Sequence, residues 1–136
     1  MARTHRTDLP NLRLFAGCDA KERDVIAKLA TAVCVEEGRV LIRQGQTGSE
    51  FFVILNGFAK CDIDGRVVAR FGVGDFFGEM ALLDGGPRTA TVAATSPMEL
   101  LVFTRGEFVA LVEASGTVAY RLSGELAARL RAANAA

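Results

Sequence analysis

The sequence has few of the residues that most often carry metal or acid–base chemistry. It contains one histidine, His5, no tryptophan, and three widely spaced cysteines at positions 18, 34 and 61. Zinc and iron–sulfur sites need cysteine or histidine pairs at short spacing, and a serine or cysteine nucleophile needs a nearby base. An odd number of separated cysteines is typical of a reducing compartment. We therefore expect no metal, no catalytic residues and a cytoplasmic location.

The chain also lacks an excess of either charge and any long hydrophobic run. Its 16 lysines and arginines balance 16 aspartates and glutamates, so no basic field is present to attract nucleic acid. The apolar runs are much shorter than the ~20 residues of a membrane span, and the polar N-terminus has no signal-peptide core. These features predict no nucleic-acid partner and no membrane insertion.

What the chain has is enough apolar sequence for one core, since half of its 136 residues are hydrophobic. We expect a mobile N-terminus over residues 1–10 and one domain over 11–136. Asp19 followed by Glu22 predicts a capping box, and the apolar spacing after it predicts a helix over about 19–31.

The hydrophobic period then changes to two, which predicts a barrel or roll of short strands. Strands are predicted at 32–35, 40–42, 51–55, 58–63, 67–71, 89–94 and 99–103. The dipeptides Asn56-Gly57 and Asp64-Gly65 predict tight hairpins. Helical spacing returns over 106–114 and 117–132, with a break at Ser115-Gly116.

Residues 74–92 combine glycines and a short apolar helix start, and their charged residues include Glu79 and Arg88, which have opposite signs. The first turns of a helix have unpaired amides, which attract an anion. Arg88 follows a Gly-Gly-Pro turn that can bring its guanidinium to the same point, where it can bind a phosphate through two parallel hydrogen bonds. Glu79 beside a phosphate requires a hydrogen-bond donor such as a sugar hydroxyl. The stretch therefore indicates a nucleotide.

The ordered pattern Phe-Gly-Glu-x-Ala-Leu-Leu…Pro-Arg-x-Ala-Thr-Val resembles the phosphate-binding cassette of cyclic nucleotide-binding domains. The resemblance runs from about Leu14 to the C-terminus. It implies a mainly β fold with flanking helices: an eight-stranded β-roll (double-stranded β-helix, jelly-roll-like) with an N-terminal helix, a short cassette helix and two C-terminal helices. It also implies cAMP or cGMP as ligand, no further cofactor, and an unidentified effector protein or domain as partner.

The same resemblance assigns roles to residues by their position in the motif. The implied ligand-binding residues are Phe77, Gly78, Glu79, Met80, Ala81, Arg88, Thr89 and Ala90. Arg88 and several backbone amides would face the cyclic phosphate, and Glu79 would accept from the ribose 2′-hydroxyl. In related domains a hydroxyl at the position of Thr89 can bond to guanine, although an ordinary strand threonine explains it equally well. Further candidates for contacts with the base are Cys61, Ala69, Arg129 and Asn134.

Other interpretations remain open at this point. Glu79 could cap its helix and Arg88 could form a surface ion pair. The same β-roll could sense another small organic anion, or serve as a ligand-free interaction module. Under the leading hypothesis the C-terminal helix moves to cover the base, with Gly116 and Gly124 allowing the motion.

Overall fold

The computed structural model describes residues 12–79 and 86–134, without the side chains of Leu130 and residues 132–134. The predicted mobile segment, residues 1–10, lies outside these residues. The strands are β1 (Thr31–Val35), β2 (Val40–Ile42), β3 (Glu50–Asn56), β4 (Ala59–Ile63), β5 (Arg66–Phe71), β6 (Phe76–Phe77), β7 (Thr91–Ala94) and β8 (Met98–Thr104). The helices are α1 (Ala20–Leu29), α2 (Arg105–Ala114) and α3 (Gly116–Asn134), and a short 3-10 turn spans Arg13–Phe15.

The eight strands form two four-stranded antiparallel sheets, in the orders β1-β8-β3-β6 and β2-β7-β4-β5. Helices flank this roll at both ends of the sequence. The predicted eight-stranded β-roll with flanking helices is therefore confirmed. Of the predicted cassette helix, the described residues include only its helical start at Glu79.

Strand β3 separates two hydrophobic cores because its side chains alternate between its two faces. Phe51 and Val53 belong to the core that the first sheet forms with the helices. Phe52 and Ile54 belong to the core between the two sheets. All four are 0–5% exposed, which explains why β3 reads as a continuous apolar run.

The predicted capping box begins α1: Glu22 N donates to Asp19 Oδ1 at 2.8 Å, and Asp19 N donates to Glu22 Oε1 at 3.1 Å. At the predicted break, Ser115 is extended and ends α2. Its hydroxyl then accepts from Val118 N at 3.1 Å, so α3 starts at the next residue. Helix α3 continues through Gly124 without interruption. Within the described part of the chain, no helix has the length and hydropathy that a transmembrane span requires.

The two predicted hairpins have different outcomes. Asp64 and Gly65 have φ of 53° and 80° and join the paired strands β4 and β5, as the type I′ signal predicts. The Asn56-Gly57 prediction is wrong, because β3 and β4 belong to different sheets. Gly57 has the expected positive φ of 95°, but a Cβ there would lie 2.4 Å from Pro97 O. This glycine allows close packing where the chain crosses between sheets.

Candidate functional site

A cavity of about 470 Å³ lies between the second sheet, β6 of the first sheet with the start of the cassette, and helix α3. This volume is within the ~300–1,000 Å³ that is usual for small-molecule sites. Three lining residues are charged: Glu79, Arg88 and Arg129. The others are small or mainly apolar: Ile42, Cys61, Ile63, Phe71, Phe77, Gly78, Thr89, Ala90, Val92 and Leu126. The charges therefore stand in a largely apolar enclosure.

Arg88 is 7% exposed and is held by backbone carbonyls. Its Nη1 donates to Gly78 O at 2.8 Å, and its Nη2 donates to Glu50 O at 2.7 Å. Burial lowers the pKa of Arg88, while the negative charges of Glu50 and Glu79 act in the opposite direction. A guanidinium nevertheless stays protonated in proteins. Because both acceptors are neutral, the bonds fix the side chain without cancelling its charge.

Two glycines make room for this arginine. A Cβ on Gly48 would lie 2.3 Å from Arg88 Nε, which is closer than any real contact. Gly78 has φ of 96°, and a Cβ there would lie 2.7 Å from Glu50 O. From the sequence, Gly48 is an ordinary turn glycine between strands. The structure shows that it also leaves space for Arg88.

Glu79 is 3% exposed, and its carboxylate accepts a hydrogen bond from Arg129 Nη1. Arg129 Nη2 also donates to Phe76 O at 2.7 Å, and the guanidinium carbon lies 4.4 Å from the centre of the Phe76 ring. These contacts join α3 to the start of the cassette. The sequence suggested Arg129 as a contact of the base and Glu79 as a contact of the ribose. In the structure these two residues are bonded to each other.

Cys61 lies in the cavity wall as a protonated thiol. Burial is the main cause that raises its pKa; the charges of Asp62 and Glu79 add to the increase and that of Arg129 opposes it. A thiol that stays protonated is a poor nucleophile and behaves as a small apolar group. Among the described residues, no cluster of three or more histidine, cysteine or acidic side chains could hold a metal.

The structure brings most of the sequence-predicted residues to one place. The cavity is lined by Phe77, Gly78, Glu79, Arg88, Thr89, Ala90, Cys61 and Arg129. Ala69 is not among the lining residues; it is half-buried opposite Cys61 in the β4–β5 ladder. Met80, Ala81 and the side chain of Asn134 lie outside the described residues.

Five lining residues were not among the predicted site residues: Ile42, Ile63, Phe71, Val92 and Leu126. Strand alternation does mark two of them as possible walls for a ligand, although ordinary core explains the same pattern: Ile63 shares a face with Cys61, and Phe71 ends the alternating run of β5. For Ile42, Val92 and Leu126, strand or helix periodicity marks a buried face but does not distinguish a cavity wall from ordinary core.

The cavity combines a fixed buried cation, a buried carboxylate and apolar walls, an arrangement suited to a small anion with an apolar part. Comparisons with known proteins agree with this class of ligand. The family model described as "Cyclic nucleotide-binding domain" matches residues 32–115. The chain is also 32% identical, over 126 residues, to the cyclic AMP receptor protein of Thermus thermophilus, covering 89% of this chain and 58% of that protein.

Two solved structures resemble the fold. The catabolite activator protein of Thermus thermophilus gives a TM-score of 0.81 at 32% identity, over 90% of this chain and 60% of that chain. The regulatory domain of Toxoplasma gondii PKA, co-crystallised with cAMP, gives 0.68 at 34% identity, over 78% of this chain and 42% of that one. The chain belongs to the cyclic nucleotide-binding domain family. It spans less than two thirds of the length of these relatives.

Proposed function

We propose that this protein is a receptor module for a cyclic purine nucleotide, with cAMP as the preferred ligand and cGMP as a weaker one. The observation that carries the proposal is Arg88, a buried cation in a cavity wall that is fixed by neutral carbonyls. Such a cation is suited to a ligand that brings its own negative charge. A cyclic phosphate carries one charge and two exposed oxygens.

In this proposal the phosphate binds at Arg88 and at backbone amides of the cassette. Gly78 and Ala90 line the cavity beside Arg88, and Met80 and Ala81 are predicted to add amides. Each hydrogen bond to a charged group contributes roughly 1.5–3 kcal/mol. Arg88 therefore contributes more to affinity than any other side chain.

Glu79 accepts from the ribose 2′-hydroxyl. A buried carboxylate beside a phosphate would repel it, and the Arg129 guanidinium reduces that repulsion by pairing with Glu79. An organic anion without ribose would use Arg88 and would offer Glu79 no hydroxyl donor. Dependence on the 2′-hydroxyl therefore separates a nucleotide receptor from a sensor of another anion.

The purine lies against the apolar walls formed by Cys61, Ile63, Phe71 and Leu126. With few polar side chains at that end, selection between bases is modest. Adenine is the base we expect, because the relatives named above include a cyclic AMP receptor protein and a kinase regulatory domain crystallised with cAMP. Thr89 lines the cavity, so its hydroxyl is the candidate for the residual binding of cGMP.

The signal passes through α3 to an effector protein or domain. Leu126 and Arg129 of this helix line the cavity, so a ligand contacts the helix directly. A ligand can drive a movement only if it binds one helix position better than another. In this proposal the protein binds its ligand without catalysing a reaction. It acts in the cytoplasm, as the sequence predicts.

Calorimetry with cAMP tests this function. Arg88→Ala should weaken binding at least ~100-fold, since two charge-assisted bonds are lost. Arg88→Lys should also bind poorly, because an ammonium cannot reproduce a bidentate contact. Arg70→Ala, an exposed arginine on β5, is the matched control and should bind as the wild type does. Binding by Arg88→Ala within twofold of wild type would contradict the proposal. Recovery of unchanged cAMP after long incubation excludes hydrolysis.

A further inference from the structure

A second cavity, of about 280 Å³, lies between the first sheet and strand β2. We call it the β2 groove. Its walls are alternate residues of β1, β3 and β8, residues 39–41 where β2 begins, and Glu107 of α2. Its volume is near the lower end of the ~300–1,000 Å³ that is usual for small-molecule sites. No residue of its wall lines the cavity that contains Arg88, so the two cavities are separate.

The hydrophobic core between the two sheets is incompletely covered at this groove. Val35, Leu41 and Val102 are packed against that core but are only partly buried, and all three line the groove. The other described residues that are partly buried against this core, Cys61 and Phe71, line the cavity that contains Arg88. The groove therefore leaves apolar surface accessible in a concave site, where an apolar group would remove it from water.

The carboxylates of the groove are at one end of it. In the register of the first sheet, Glu50 lies opposite Thr104, and Phe52 lies opposite Val102. Residues two apart in a strand share a face, so these four side chains form two successive rows. Glu107 joins the polar row, because its carboxylate accepts from Thr104 N at 2.8 Å. The wall therefore changes from carboxylates to apolar side chains within two residues of each strand.

The positive charge of the wall is at the other end. Arg39 is the one basic residue among the described residues of the wall, and it follows the turn after Val35. Val35 is four residues along β1 from Thr31, or ~13 Å, and Thr31 is at the end of β1 nearer the carboxylates. Arg88 donates to the carbonyl of Glu50 and not to its carboxylate. The carboxylate end therefore has an excess of negative charge.

This end of the groove is complementary to a cation that donates hydrogen bonds. An ionised carboxylate only accepts, whereas an ammonium group is positively charged and has three donors. We propose that the β2 groove binds a small apolar primary amine. Its ammonium group lies at Glu50 and Glu107, and its hydrocarbon part lies along Val102, Leu41 and Val35. This site is independent of the nucleotide assignment, which uses the other cavity.

The test uses the full chain and three compounds that differ only in their head group: hexylamine, hexanol and hexanoate. Titrations at pH 7 followed by amide NMR should show hexylamine binding at least ~10-fold more tightly than either of the others. Methylamine, which has the head group without the chain, should also bind at least ~10-fold more weakly. The largest shift changes should be at Val33, Phe52 and Val102, and those at Cys61 and Phe71 should be small.

Protein variants test the location. Glu50→Gln should weaken hexylamine binding at least ~5-fold, because one of the two carboxylates is lost. Glu37→Gln makes the same charge change at an exposed residue outside the groove wall, and should leave the affinity within twofold. Val33→Phe should fill the groove and abolish binding. Circular dichroism shows whether each variant is folded, and the comparison of Glu50→Gln with Glu37→Gln stands alone if Val33→Phe does not fold.

Several results would overturn the proposal. They are binding of hexanoate or hexanol as tight as that of hexylamine, and equal effects of the changes at Glu50 and Glu37. Largest shifts at Cys61 and Phe71 would also overturn it, since the amine would then occupy the other cavity. So would unchanged hexylamine affinity in a folded Val33→Phe variant.

Discussion

Two buried charges of opposite sign, Glu79 and Arg88, line one cavity without bonding to each other. Glu79 accepts from Arg129, and Arg88 donates to backbone carbonyls. A buried charge costs several kcal/mol unless partners compensate for it. Each charge is therefore held in place by a different part of the fold: Glu79 by α3, and Arg88 by the carbonyls of Gly78 and of Glu50 in β3.

The contribution of Glu79 to ligand affinity can be measured with a thermodynamic cycle that combines one protein variant and one altered ligand. Glu79→Gln should weaken cAMP binding, and 2′-deoxy-cAMP should bind the wild type more weakly by a similar amount. The two losses should not add, because both remove the same hydrogen bond of roughly 1.5–3 kcal/mol. Glu99→Gln, at an exposed position on β8, is the control for calorimetry. Additive losses would place Glu79 away from the ribose.

That Glu79 and Arg88 lie in the wall of one cavity could be predicted from the sequence, because opposite charges on either side of a Gly-Gly-Pro turn can be brought to one point. Gly48 could not be assigned its role, because its neighbour Arg88 is 40 positions away in the sequence and only the fold brings them together. Arg129 was predicted to contact a base. Its pairing with Glu79 depends on where α3 lies, which helical periodicity does not fix.

At the scale of elements, Glu22 joins α1 to the junction between α2 and α3. Its carboxylate accepts from the hydroxyls of Ser115 and Thr117, in addition to its capping bond with Asp19. The bond from Ser115 is the largest cause that lowers the pKa of Glu22 below its ordinary value of 4.5. Ser115 also ends α2 and caps α3, so one carboxylate contacts the point where the two helices change direction.

The lowered pKa of Glu22 predicts how stability depends on pH. A carboxyl whose pKa is lower when folded stabilises the fold above its unfolded value, near 4.5, and loses that contribution as pH falls through the folded value. Glu22→Gln should therefore unfold at lower urea concentration than wild type at pH 7, and the difference should shrink below pH 4. Glu113→Gln, on the exposed side of α2, is the control. A difference that stays constant with pH would contradict this account.

Helix α3 should respond to ligand more than the other helices. Because Leu126 and Arg129 line the cavity, amide hydrogen exchange over 117–134 should slow when cAMP is added. Arg129→Ala should make exchange in this helix faster before ligand is added, since the bonds to Glu79 and Phe76 are lost. Helix α1, which has no residue in the cavity wall, is the internal control. If amide exchange in α3 were the same with and without cAMP, the helix would form part of the cavity wall without responding to ligand.

The elements differ in how well the sequence predicted them. The Asp64-Gly65 turn was predictable because positive φ at two adjacent residues is a local requirement. Strand β6 was missed because two residues, Phe76 and Phe77, show no period, and their pairing with β3 is a long-range contact. The Asn56-Gly57 prediction failed for the same reason, since a turn signal does not say which sheet the next strand joins.

At the scale of the whole molecule, ligand binding should stabilise the fold. The cavity is built from both sheets and α3, so a nucleotide that fills it binds the folded chain and not the unfolded one. At 100 times its dissociation constant such a ligand adds ~2.7 kcal/mol. For a domain of this size that corresponds to an increase in Tm of roughly 10 °C.

Thermal melts should therefore show Tm rising with the logarithm of cAMP concentration. Arg88→Ala should show no rise at concentrations that shift the wild type, and 5′-AMP, with an open phosphate of higher charge, should shift the wild type less. An equal shift with 5′-AMP would mean that the site does not recognise the cyclic phosphate.

The β4–β5 hairpin separates the cavity on one face from Lys60 and Arg70 on the other. Any molecule that binds the outer face of this hairpin is subject to reciprocity: whatever factor the nucleotide applies to the affinity of that molecule, the molecule applies to the affinity of the nucleotide. A factor of ten in one direction is a coupling free energy of ~1.4 kcal/mol in both. If the coupling is favourable, a saturating amount of that molecule lowers the nucleotide concentration needed for half-occupancy by the same factor.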